Sequence, residues 1–77
     1  MPFTVATLAN AIVELAVKDY RTALKYHYRH PGKKEYADAV DSLEQFFRSG
    51  WYGMLTDLDG EYLMTAVRRM AREEVAA

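Results

Sequence analysis

The stretch Tyr20-Arg21-Thr22-Ala23-Leu24-Lys25-Tyr26-His27-Tyr28-Arg29-His30 interleaves three cations with three tyrosines and two histidines. Aromatic rings offer stacking faces to bases, and the cations between them neutralise phosphates. On a helix, Arg21, Lys25 and Arg29 stand four apart and line one edge, with Tyr28 alongside. Three further arginines, Arg68, Arg69 and Arg72, carry the same charge late in the chain. Arg21, Lys25, Tyr28, Arg29, Arg68, Arg69 and Arg72 are therefore the candidate anion-binding residues. The competing reading is structural. It places Tyr20 and His27 in a core, with Tyr26 and Tyr28 straddling its border.

Other constellations carry less chemistry. His27 and His30 stand at i,i+3, but two ligands with no Cys and no neighbouring acid fall short of a zinc set. Asp57-Leu58-Asp59-Gly60-Glu61 invites comparison with a calcium loop, yet the positions that would need acids hold Leu55 and Ala66. No serine or threonine stands in a nucleophile elbow, no glycine-rich phosphate loop occurs, and no pair of acids is isolated for proton transfer. The reading is a non-enzyme that needs no metal or cofactor. Phe46-Phe47-Arg48-Ser49-Gly50-Trp51-Tyr52 gathers aromatic rings around a helix break, which suits a core; Arg48 and Ser49 beside a new helix start also suit an anion.

Helices must position all of these groups. Segments that alternate apolar and polar residues are missing, so the chain reads as all-α: a small bundle of three main helices plus one short one, a single domain over 1–77. The first helix spans about 4–29, with Thr4 as its N-cap and Phe3 stapling onto Leu8. Pro31-Gly32 ends it. The second spans about 34–48, with Tyr36, Ala39, Val40, Leu43, Phe46 and Phe47 inward and a Glu44–Arg48 pair at i,i+4. Ser49 caps a short helix through Leu55. The last begins at Thr56 or Asp57, with Thr56 and Asp59 as a capping box, and runs to about Glu74 before the chain frays. Its expected stripe is Leu63, Ala66, Val67 and Met70, with Arg68, Arg69 and Arg72 outside and Arg69 paired to Glu73.

At about 100° per residue the apolar face of the first helix, from Val5, Leu8, Ile12 and Leu15 to Tyr20 and Leu24, is wider than the stripe of an ordinary surface helix. Two sibling helices do not cover such a face, and 77 residues without cysteine make a marginal core. Both points predict a homo-oligomer. Asp19 projects into that face; it either lies at the edge, pairs with an arginine such as Arg69, or meets a ligand or a second subunit.

Ten Lys+Arg against eleven Asp+Glu give a net charge of −1, but the charges come in blocks. Five cations and no acid fall between Arg21 and Lys34, then seven acids and one cation between Glu35 and Glu61. Helix dipoles explain part of this. A basic end that binds an anion is the functional reading. The alternative is a protein–protein inhibitor or adaptor that presents the acids Asp38, Asp41, Glu44 and Asp57 to a basic partner. A purely structural assembly role is a third. Near-neutral charge, no apolar run of membrane length and no basic-then-apolar leader lead to the expectation of a cytoplasmic protein.

Phe46-Phe47-Arg48-Ser49-Gly50-Trp51-Tyr52, Leu55-Thr56-Asp57 and Asp59-Gly60-Glu61-Tyr62-Leu63, preceded by Tyr20-Arg21-Thr22-Ala23-Leu24, resemble a group of small proteins from prophages and integrative elements of Gram-positive gut bacteria. The resemblance covers most of 10–65. It implies a mobile-element setting inside a bacterial host and transfers no fold, ligand or active residue. Small proteins in that setting act by binding: they inhibit host defence, sequester signalling nucleotides, or modulate transcription and replication.

Overall fold

The computed structural model describes residues 4–77, which form four helices: α1 (Val5–Arg29), α2 (Lys34–Phe47), α3 (Gly50–Leu55) and α4 (Gly60–Ala76). No strand occurs among the described residues. Thr4 caps α1 as expected, its Oγ1 accepting the Thr7 amide at 3.0 Å. Phe3 and its expected staple lie outside the described residues. Pro31 has no amide to continue the helix, and the amide of His30 closes the last turn on the Tyr26 carbonyl at 2.9 Å. Gly32 contributes less than its type suggested: its φ is not positive, and a Cβ there would meet nothing.

Ser49 starts α3 by accepting the Tyr52 amide at 3.2 Å while its own hydroxyl donates to the Phe46 carbonyl at 2.7 Å. α4 begins later than the spacing predicts. Thr56 turns back on itself, its Oγ1 accepting the Leu58 amide, and Asp59 alone caps α4 through the Glu61 amide. The expected Thr56–Asp59 box is not formed. Gly60 sets the start, since a Cβ there would fall onto the Phe47 carbonyl oxygen; only a glycine lets the two backbones approach so closely. At the other end α4 runs on through Ala76 instead of fraying, with Val75 half-buried.

α1 packs against both α2 and α4. Tyr20 meets Phe47, and Tyr26 stacks on Tyr36, so α2 runs antiparallel to α1. Arg21 and Lys25 reach Glu74, while Val13 and Val17 share a groove with Leu63, so α4 runs parallel to it. The core is Tyr20, Ala23 and Leu24 of α1, Val40 and Phe47 of α2, Tyr52 of α3, and Met64, Val67 and Ala71 of α4. Ala39, expected inside, is exposed. The buried stripe of α4 is rotated from the expected one: Met64 and Ala71 replace Met70, which is exposed, and Leu63 and Ala66 are only half-buried. The rotation follows from two contacts. Gly60 lies on the Phe47 backbone, and Arg68 turns inward to Glu44.

The wide face of α1 is only partly covered. Leu24 is enclosed by its own chain and Val13 and Val17 are half-buried, but Val5, Leu8 and Leu15 are 87, 56 and 59 % exposed. Leu15, level with the half-buried Val13 and Val17, faces away from both neighbours, and for the first turns the reason is length. At about 1.5 Å per residue α1 is roughly 37 Å long, whereas α2 and α4 have 14 and 17 residues against its 25. Its first turns extend past the end of α2 and the start of α4. No helix among the described residues is long and apolar enough to cross a membrane.

Candidate functional site

The antiparallel–parallel arrangement brings three termini to one end of the bundle: the carbonyl ends of α1 and α4 and the amino end of α2. Between them lies a cleft of about 480 Å³ lined by His27, Tyr28 and Pro31 on one side and Arg72, Val75 and Ala76 on the other. Helical spacing explains the walls. Residues 72, 75 and 76 share one face of α4, and His27 and Tyr28 follow Lys25, the last α1 residue paired to α4. Tyr28 is half-buried, packed on the core edge. The Nδ1 of His27 is buried with no hydrogen-bond partner.

Of the seven candidate anion-binding residues, the cleft joins two, Tyr28 and Arg72. Arg72 is exposed and makes no ion pair among the described residues. Arg29 is also exposed and free of one, and so is Lys33 beside it in the turn. Arg21 and Lys25 are instead tethered to Glu74: Arg21 Nε donates to Oε2 at 3.1 Å and Lys25 Nζ stands 3.3 Å from the same oxygen. The Arg21 hydrogen bond, helped by Lys25, holds the Glu74 carboxyl below its usual range. Two cations sharing one carboxylate still leave a positive charge there. The amino end of α2 has no side-chain cap and carries Lys33 and Lys34, the latter bonded to Asp38 at 2.8 Å. Arg29, in the last turn of α1, offsets part of the negative carbonyl end of that helix.

The remaining two arginines part company. Arg69 is exposed on the far side of α4, and the expected Arg69–Glu73 pair is not formed. Arg68 faces inward and donates to Glu44 Oε2 at 3.0 Å. Glu44 is the residue the sequence most misplaced. Expected on an acidic face with Asp38, Asp41 and Asp57, it is half-buried and accepts the Tyr20 hydroxyl at 2.7 Å. The expected Arg48 pair does form, at 3.5 Å, and Arg48 Nε also donates to Glu61 at 2.7 Å. Burial alone would raise the Glu44 carboxyl, but the bonds from Tyr20 and Arg68 and the nearby cations outweigh it and hold it low. The fully buried Tyr20 hydroxyl is pushed up, by burial first and by Glu44 second. A buried tyrosine hydroxyl demands a partner, and that was the available signal for Glu44.

The acidic face of α2 is correspondingly thin. Asp38 is bonded to Lys34, Asp41 stands exposed, and Asp57 lies in the loop before α4. Asp19 is exposed, with no ion pair to Arg69 or any other described residue. His27 and His30 engage different rings, Tyr28 and Tyr36, and among the described residues no three His, Asp or Glu side chains converge to hold a metal. A second groove, about 430 Å³, lies on α1 among Val13, Glu14, Val17, Lys18, Leu58 and Leu63; its walls are mostly apolar.

Comparison of the chain with protein-family models, with curated proteins and with solved structures finds no match to any of them.

Proposed function

We propose that this chain is a non-catalytic binding protein of mobile-element type that takes a phosphorylated nucleotide in the cleft between the ends of α1 and α4. The observation that carries the reading is the pairing of Tyr28 with Arg72 in one cleft whose floor is apolar. A guanidinium without an acidic partner is a preorganised fork for phosphate oxygens. A ring and the apolar Pro31, Val75 and Ala76 suit the flat body of a base. The cleft volume falls within the range of small-molecule sites, about 300–1,000 Å³. Arg29, Lys33 and the uncapped start of α2 supply further positive potential.

A small ligand is favoured over a length of nucleic acid by the count of available cations. Polyanion binding that dominates affinity uses about six to ten phosphate contacts. Among the described residues at this end, Arg29, Lys33 and Arg72 alone have no acidic partner, and the net charge is −1. Sequestration of a signalling nucleotide inside the bacterial host, as a counter-defence device, is the role that joins this site to the mobile-element setting. The test is a thermal-shift screen at low salt against mononucleotides, cyclic dinucleotides and short DNA and RNA. Stabilisation by one nucleotide class, lost in Arg72→Glu, supports the reading; flat melting curves across the whole panel end it.

A further inference from the structure

The outward side of α1 carries a pattern separate from its core face. Val5, Leu8, Ile12 and Leu15 follow one another at intervals of three, four and three residues, the spacing of a two-stranded coiled-coil seam. Val13 and Ala16 at the core edge, Tyr20 and Ala23 in the core and His27 in the cleft repeat the same spacing roughly 100° further round. α2 and α4 pack on the second seam and leave most of the first in solvent: Val5, Leu8 and Leu15 are all more than half exposed, and Ile12 is half-buried. Position 19 is next in the exposed seam, and there the apolar run stops at Asp19.

We infer that the Val5–Leu8–Ile12–Leu15 seam of α1 pairs with the same seam of a second copy of this chain, in antiparallel orientation. Two observations select that occupant. From Thr4 to Val13 there is no charged residue, in a chain in which 27 % of residues are charged, so two copies of this stretch meet without opposing or burying a charge. The same stretch lacks the lysines and arginines that hold an amphipathic helix on a lipid surface.

Asp19 fixes the direction. Parallel helices would set one Asp19 against the other at a seam position, where like charges repel. In the antiparallel register that sets Val5 against Leu15 and Leu8 against Ile12, the two Asp19 carboxylates lie at opposite ends of the contact. Ala9 and Ala11 flank the seam and keep the two backbones free to approach. The bodies of the two copies then extend away from each other, and both clefts at the ends of α1 and α4 stay open.

Sedimentation equilibrium on the full chain reads this directly. The mass of wild type is expected to rise from 8.9 kDa towards twice that value as concentration passes through the micromolar range. Leu8→Asp and Leu15→Lys are expected to hold the monomer mass over the same range, at least a tenfold weakening, with unchanged helix content by circular dichroism on dilution. Asp19→Leu, which lengthens the seam, is expected to tighten association. Wild type that stays monomeric to millimolar concentration overturns the proposal. So does a dimer indifferent to both seam substitutions but abolished by Trp51→Ser, which would put the contact on α3.

Discussion

In its C-terminal half α1 buries Tyr20, Ala23 and Leu24 against α2 and α4, whereas in its N-terminal half Val5, Leu8 and Leu15 stand in solvent. The two halves share a heptad-like spacing, and the projecting half is the richer of the two in apolar residues. What differs is the length of the neighbours, 14 and 17 residues beside 25. Charge divides the same way. The enclosed half carries Arg21, Lys25 and Arg29 and ends in a cleft; the projecting half carries no charge before Glu14. Periodicity thus reports that a face is apolar, and the lengths of the neighbours decide how much of it the chain itself covers.

The comparison is broken most severely by cavities. Leu24→Ala should cost about 3 kcal/mol of unfolding free energy, since Leu24 is 2 % exposed. Leu15→Ala should change the stability of the dilute monomer by no more than about 0.5 kcal/mol. Urea unfolding at low protein concentration measures both; equal losses would mean that the projecting half is enclosed after all.

Glu44→Gln comes next. It removes the charge that Arg68 and the Tyr20 hydroxyl use, for a loss of about 2 kcal/mol. It also carries a pH signature. The Glu44, Glu61 and Glu74 carboxyls are all held low in the folded chain, so each contributes stability that is complete above the unfolded carboxyl range and is lost as pH falls through the folded values. Wild type should therefore weaken steadily below about pH 4.3, and Glu44→Gln should show a shallower decline in acid titrations followed by melting temperature. An identical slope would remove Glu44 from the account.

The smallest effect sharpens the view of the core. Tyr20 and Tyr52 are both buried, but the Tyr20 hydroxyl donates to Glu44 whereas the Tyr52 hydroxyl has no partner. Tyr20→Phe should cost about 1–1.5 kcal/mol. Tyr52→Phe should cost nothing or stabilise slightly, because an unpaired buried hydroxyl is a liability. Paired thermal melts check the sign of the difference.

Local signals were legible where they act within a turn or two. Thr4 and Ser49 cap the helices they were expected to cap, Pro31 ends α1, and Tyr20, Leu24, Val40 and Phe47 are core. Long-range contacts were not. The phase of α4 depends on Gly60 lying against the Phe47 carbonyl, which no property of the 56–63 segment announces. Glu44 looked like surface because acids on α2 recur there, and only the three-helix packing brings Tyr20 and Arg68 to it. Among the candidate anion residues, charge was readable but neutralisation was not. Glu74 ties down Arg21 and Lys25 from 53 and 49 positions away, and Glu44 takes Arg68.

The central claim is that the two ends of α1 meet different partners, an anionic nucleotide at one and a second copy at the other. Amide-resolved NMR spectra, recorded on dilution of the protein and then during addition of a purine nucleotide that scores in the thermal-shift screen, test it most directly. Dilution should move the amides of residues 5–15 and leave those of 27–34 and 72–76 in place; the nucleotide should do the reverse. A common set of amides responding to both, or a nucleotide response confined to 5–15, would contradict the division of labour along this helix.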